Sequence, residues 1–168
     1  MNGNERNLTG RTFLNASQSH AGSVTYEEET EKYVALKRRS PYQILVVSDD
    51  PDNCMALTVI LEREGWNTLC TSRVSECREL LSLNRFDLAF CDRRLRDGSY
   101  LDVLAITHTL KYHLPLVVTS RQADWDQYLE ALRHGAFELI VSPPQASDVL
   151  WALTQADRRH EPPPIEAL

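Results

Sequence analysis

Beyond residue 40 the chain carries a single lysine, Lys111, and over its 168 residues acid outweighs base by six charges. A nucleic-acid surface needs clustered positive charge, so none is expected here. The four cysteines, Cys54, Cys70, Cys77 and Cys91, form no CxxC pair, which speaks against a zinc site and a disulfide framework. Cys70 and Cys91 lie in apolar, strand-like runs, and reduced, buried thiols are expected. No apolar run approaches the roughly 20 residues that a membrane span requires. The start, Met1-Asn2-Gly3-Asn4-Glu5-Arg6, has no apolar stretch of the kind a secretory signal needs. These absences point to a cytoplasmic protein without membrane contact. His20, His108, His113, His134 and His160 show no metal-ligand spacing.

What remains is the composition of a globular domain, 42% hydrophobic and 25% charged, in a chain long enough to bury a core. Residues 1–40 read as an N-terminal tail, disordered at first and with a possible helix over 26–39. In that segment acid precedes base and Glu28 stands four residues before Lys32, which suits a helix and its dipole. The domain is expected over 41–159. A Pro-rich tail, 160–168, follows, since Pro162-Pro163-Pro164 cannot continue a helix.

Within 41–159, short apolar runs alternate with amphipathic stretches. Strands are expected at 43–48, 66–71, 86–91, 115–119 and 137–141, and helices at 52–64, 74–84, 99–111, 124–134 and 147–159. A repeated βα unit implies an α/β fold: a doubly wound, five-stranded parallel sheet covered on both faces, of the flavodoxin-like (βα)5 kind. Right-handed crossovers bring the C-terminal ends of all strands to one edge.

Three of those ends close in polar groups. Ile44-Leu45-Val46-Val47 runs into Ser48-Asp49-Asp50, Phe86 to Cys91 runs into Asp92, and Leu116-Val117-Val118 runs into Thr119-Ser120. Open α/β sheets place their chemistry at this edge. Clustered carboxylates repel when ionised, so the cluster suggests a cation, and all-oxygen donors favour Mg²⁺. A carboxylate held there is also a possible nucleophile toward phosphorus, with the Thr119 hydroxyl as a donor to a phosphoryl oxygen.

The segments ILVVSDDPDN, FDLAFCDRRLRDGSYLDVL, LPLVVTS and ALRHGAFELIVSPP, in this order, resemble the response-regulator receiver domain of bacterial two-component signalling, the CheY-like superfamily. The resemblance covers about 42–158. It implies that Asp92 is the phosphoacceptor, that Asp49 and Asp92 are ligands of Mg²⁺ with the backbone carbonyl of Arg94, and that Thr119 is the switch hydroxyl. It implies a phosphoprotein that takes its phosphoryl group from a histidine kinase or phosphotransfer protein, with no enzymatic activity beyond its own phosphorylation and dephosphorylation. Its output would be contact with another protein through the fourth helix, fifth strand and fifth helix, where Trp125, Tyr128, Leu132 and Trp151 are the candidates. With only a short tail after the last helix, a stand-alone regulator is expected.

Four positions depart from the family pattern, one of them Arg96, which takes the place of a common proline. Ser48 takes the first place of the acidic pair, with Asp50 one place too late to replace it, so Mg²⁺ binding is expected to be weak. Ser142 stands where the family has a lysine before a proline, and Leu139 replaces the aromatic switch residue. Arg121, two residues past Thr119, could supply the missing positive charge. These departures keep an alternative in view: a degenerate receiver that binds its partner regardless of phosphate. A small phosphatase using Asp92 would need a cap that the sequence lacks, and a flavin binder would need a phosphate loop after the first strand.

Overall fold

The computed structural model describes residues 42–122 and 124–160; the expected tail 1–40, its helix 26–39 and the segment 161–168 lie outside the described residues. Among the described residues seven strands and five helices follow in order: β1 (Gln43–Val47), α1 (Pro51–Arg63), β2 (Asn67–Thr71), α2 (Val74–Leu83), β3 (Leu88–Asp92), β4 (Arg94–Leu95), β5 (Gly98–Ser99), α3 (Tyr100–Thr107), β6 (Leu116–Ser120), α4 (Trp125–Arg133), β7 (Glu138–Val141) and α5 (Ala146–His160). Five of the strands form one parallel sheet in the order β2-β1-β3-β6-β7. The two-residue strands β4 and β5 make a small antiparallel hairpin directly after Asp92, which the sequence pattern does not foretell.

Alternation along the strands divides the core in two. Leu45, Val47, Ala89, Cys91, Leu116 and Val118 face α2, α3 and α4. Ile44, Val46, Leu88, Phe90, Val117 and Ile140 face α1 and α5, with Trp66 buried among them. Period-two side chains on strands covered by helices on both faces give the doubly wound α/β sandwich that the apolar runs imply.

Local chemistry sets the helix starts. The Asp50 side chain accepts from the Asp52 amide at 3.1 Å and Pro51 opens α1. Ser99 and Asp102 form a reciprocal capping box on α3. Asp124 accepts from the Gln127 amide at 2.8 Å at the start of α4. Gly65 and Gly135, at φ of 83° and 102°, turn the chain after α1 and α4 in a conformation that side chains disfavour.

Three expectations need correction. The helix expected over 99–111 ends at Thr107. There the hydroxyls of Thr107 and Thr109 donate to the carbonyls of Leu104 and Ile106, and the chain continues in tight turns. Cys70 is exposed rather than buried, because β2 is an edge strand whose outer face is only partly covered. Tyr128 is buried under α4, so of the four contact candidates only Trp125 stands exposed, with Leu132 and Trp151 half-buried.

Candidate functional site

The parallel ladder puts the polar strand ends side by side. Asp92 is the register partner of Thr119 across β3 and β6, and Val47 pairs with Cys91, which sets Ser48 beside Asp92. Beyond the strands the ladder continues: Arg93 N–H donates to Thr119 O at 2.9 Å and Ser142 N–H to Ser120 O at 2.9 Å. The second of these bonds draws Ser142, at the start of a cis Ser142–Pro143 bond, to the same edge.

Asp92 is the hub. Its Oδ2 accepts from Ser48 Oγ at 2.5 Å, and its Oδ1 from Thr119 Oγ1 at 2.6 Å and Asn53 Nδ2 at 2.6 Å. Burial raises the Asp92 carboxyl above its ordinary range, against the three hydrogen bonds, which lower it; the charge of nearby Asp49 adds to the rise. Ser48, Asn53 and Thr119 are buried, so the half-buried carboxylate meets three neutral donors on its inner side. Charge-assisted bonds of this length are strong and directional.

Asn53 is the residue that sequence reasoning missed. It lies in the first turn of α1 and is 1% exposed. The signal was present: Asn53, Leu57 and Leu61 share one helix face at four-residue spacing, so an amide stands on an otherwise apolar stripe.

The other expected residues divide. Asp49 sits at the edge of the cluster, facing Arg96 Nε at 3.7 Å in a solvent-exposed pair of little energetic weight. Asp50 and Arg121 turn to each other, Nη2 to Oδ2 at 2.5 Å, and this bond holds the Asp50 carboxyl below its usual range. Arg121 is thus hydrogen-bonded to Asp50 and, among the described residues, acts on Asp92 through its charge rather than through a hydrogen bond. Arg94 is exposed on the β4 hairpin. Lys111 follows α3 in a cleft of about 360 Å³ with Leu104, Pro115 and Phe137. Pro115 and Phe137 precede β6 and β7, so this cleft is at the opposite edge of the sheet.

The donor set suits Mg²⁺ in kind: two carboxylates whose mutual repulsion a cation relieves, and a backbone carbonyl, for an ion that keeps several waters. It is a lean set. Among the described residues no three His, Cys, Asp or Glu side chains gather as metal ligands, and Ser48 offers a hydroxyl where a third carboxylate would strengthen the site.

Comparison with known proteins agrees with this architecture. The family model described as the response regulator receiver domain matches residues 44–154. The response regulator protein PilR of Pseudomonas aeruginosa is 31% identical over 128 residues, covering 76% of this chain and 29% of PilR. The cell cycle transcriptional regulator CtrA of Caulobacter vibrioides is 24% identical over 117 residues, 70% of this chain and 51% of CtrA. Among solved structures, a response regulator receiver domain protein from Clostridium thermocellum superposes with a TM-score of 0.63 at 26% identity, over 71% of this chain and 96% of that one. A CheY-like receiver domain protein from Methanospirillum hungatei, at 24% identity and a TM-score of 0.64, shares the fold over 72% of this chain and 98% of its own. The chain belongs to the response regulator receiver domain family, the signalling module of two-component systems. It spans less than a third of the length of PilR and about half of CtrA. No described helix is long and apolar enough to cross a membrane.

Proposed function

We propose that Asp92 accepts a phosphoryl group from a histidine kinase or phosphotransfer protein, and that the chain passes this signal on by contact with another protein. One observation carries the reading. The carboxylate that ends the central strand β3 is the focus of the strand-end cluster, with the Thr119 hydroxyl at 2.6 Å and the charge of Asp49 close enough to raise its pKa.

In the transfer, an Asp92 carboxylate oxygen bonds to phosphorus while the bond from phosphorus to the donor's imidazole nitrogen breaks. The electron pair leaves with that nitrogen, and Asp92 becomes an acyl phosphate. Thr119, which donates to Asp92 Oδ1 in the free protein, is within reach of a phosphoryl oxygen attached there. Asp49, Asp92 and the Arg94 carbonyl would hold Mg²⁺, which supplies positive charge against the phosphoryl oxygens. Trp125, exposed on α4 and stacked on Tyr128 with ring centroids 5.5 Å apart, is the contact candidate on the output face.

Acetyl phosphate with Mg²⁺, read by intact mass, tests the reading. One labile phosphoryl adduct is expected, and it should vanish in Asp92→Ala. An adduct that survives the substitution moves the site elsewhere; a wild-type protein that never reacts supports the degenerate receiver instead.

A further inference from the structure

Asn53 reaches three residues of the site at once, and the chemistry of the amide fixes how. An amide presents an acceptor oxygen on one side and two N–H donors on the other. An ionised Asp92 only accepts, so the atom facing it at 2.6 Å is Nδ2. Oδ1 then points to Ser142, whose hydroxyl, 3.0 Å away, must donate to it. Thr119 Oγ1 accepts from Nδ2 at 3.1 Å and gives its own proton to Asp92 Oδ1 at 2.6 Å. The hydrogens of Ser142, Asn53 and Thr119 in these bonds each have one place, and the polarity runs one way, from Ser142 through Asn53 to Asp92.

We propose that Asn53 is a positioning residue: its amide, turned by Ser142, holds the Asp92 carboxylate and the Thr119 hydroxyl in the orientation from which Asp92 meets phosphorus. The proposal rests on the reading of Asp92 as phosphoacceptor. A carboxylate free to turn about its last bond presents its oxygens in many directions, and fixing that direction lowers the entropy lost on the way to the transition state. Asn53 is suited to this task because it is anchored on α1 while Asp92 and Thr119 belong to β3 and β6. Ser142 makes no hydrogen bond to Asp92 among the described residues; its part is to set which way the amide faces.

The rate of adduct formation, measured across acetyl phosphate concentrations with Mg²⁺, tests this. Asn53→Ala is expected to slow the maximal rate about tenfold, a change of ~1.4 kcal/mol in the barrier, without moving the concentration that gives half that rate. Asn53→Asp is isosteric but turns an acceptor toward Asp92, and should be slower still. Ser142→Ala should slow the reaction about threefold, and Asn53→Ala with Ser142→Ala together no more than Asn53→Ala alone, because the serine acts only through the amide. A merely structural role would lower the thermal midpoint, leave the maximal rate unchanged and show no such non-additivity.

Unchanged or faster reaction in Asn53→Ala overturns the proposal, as do additive effects of the pair. If Asn53→Ala does not fold, Ser142→Ala decides alone, and its reacting at the wild-type rate overturns the proposal. A wild-type adduct that is lost in Asp92→Ala yet insensitive to Asn53 leaves the phosphoacceptor reading standing while the positioning role falls. An absence of wild-type adduct, or one retained in Asp92→Ala, overturns both.

Discussion

The Asp97 carboxylate caps α2 from 23 residues away: Oδ1 accepts from the Val74 amide at 2.9 Å and Oδ2 from the Ser75 amide at 3.2 Å. Arg73, at the helix's own cap position, makes no side-chain bond there. The turn that follows β3 thus completes a helix start on the other side of the site. Asp97→Ala is expected to lower the thermal midpoint by a few degrees, as loss of a helix cap does, with Asp97→Asn retaining most of it. The Val74 amide bond, first among the causes, holds the Asp97 carboxyl below its usual range. The cap is therefore fully present above the ordinary carboxylate range and is lost as pH falls through the lowered one. Equal melting of wild type and Asp97→Ala at neutral pH would remove the cap from the account.

Ser48 and Asp92 lie 2.5 Å apart, oxygen to oxygen, so Ser48→Asp sets one carboxylate against another. Without Mg²⁺ this variant should melt below wild type, since like charges at that separation repel. With Mg²⁺ it should gain more than wild type does, because the added carboxylate binds only in the folded state. Asp49→Ala should lose the response to Mg²⁺. Identical Mg²⁺ shifts in all three proteins would count against a cation at these residues.

Glu138 opens β7 yet is buried, with its carboxylate accepting from the Leu139 amide at 2.9 Å and from the Tyr128 hydroxyl. Burial raises its pKa more than these bonds lower it. A raised carboxyl binds its proton more tightly in the folded state, so its destabilising charge is present above the folded pKa and disappears as pH falls toward the unfolded value. Glu138→Gln should raise the thermal midpoint at neutral pH, and the gain should shrink toward about pH 4.5, the ordinary glutamate range. A gain that does not change with pH would show that packing, not charge, governs the position.

The four thiols should separate cleanly toward a maleimide at neutral pH. Burial pushes Cys77 up to about 12 and Cys91 well above its ordinary value, and Cys54 is raised to about 12, first by burial and then by Cys70 beside it. Cys70 is exposed on the edge strand, with Thr58 Oγ1 3.3 Å from its sulfur. One fast thiol is expected in the folded protein, absent in Cys70→Ser, with the others reacting only on unfolding. A second fast thiol would contradict either the raised pKa of half-buried Cys54 or the burial of Cys77 and Cys91.

The order of the strands' apolar runs, their helical partners and the polar strand ends could all be read along the chain, because each is a pattern over neighbouring residues. Asp92, Thr119, Asp49 and Ser48 stood out for the same reason: each follows an apolar run whose direction is set by right-handed crossovers. What could not be read is who faces whom. Asn53 meets Asp92 across 39 residues, Thr119 across 66 and Ser142 across 89, and none of these pairings leaves a local period. The exposure of Cys70 depended on which strand became the edge, and Arg121 met Asp50 because the loops after β6 and β1 come together in space. Periodicity carries burial and element type; hydrogen-bond partners across the sheet edge exist only once the strands have been laid side by side.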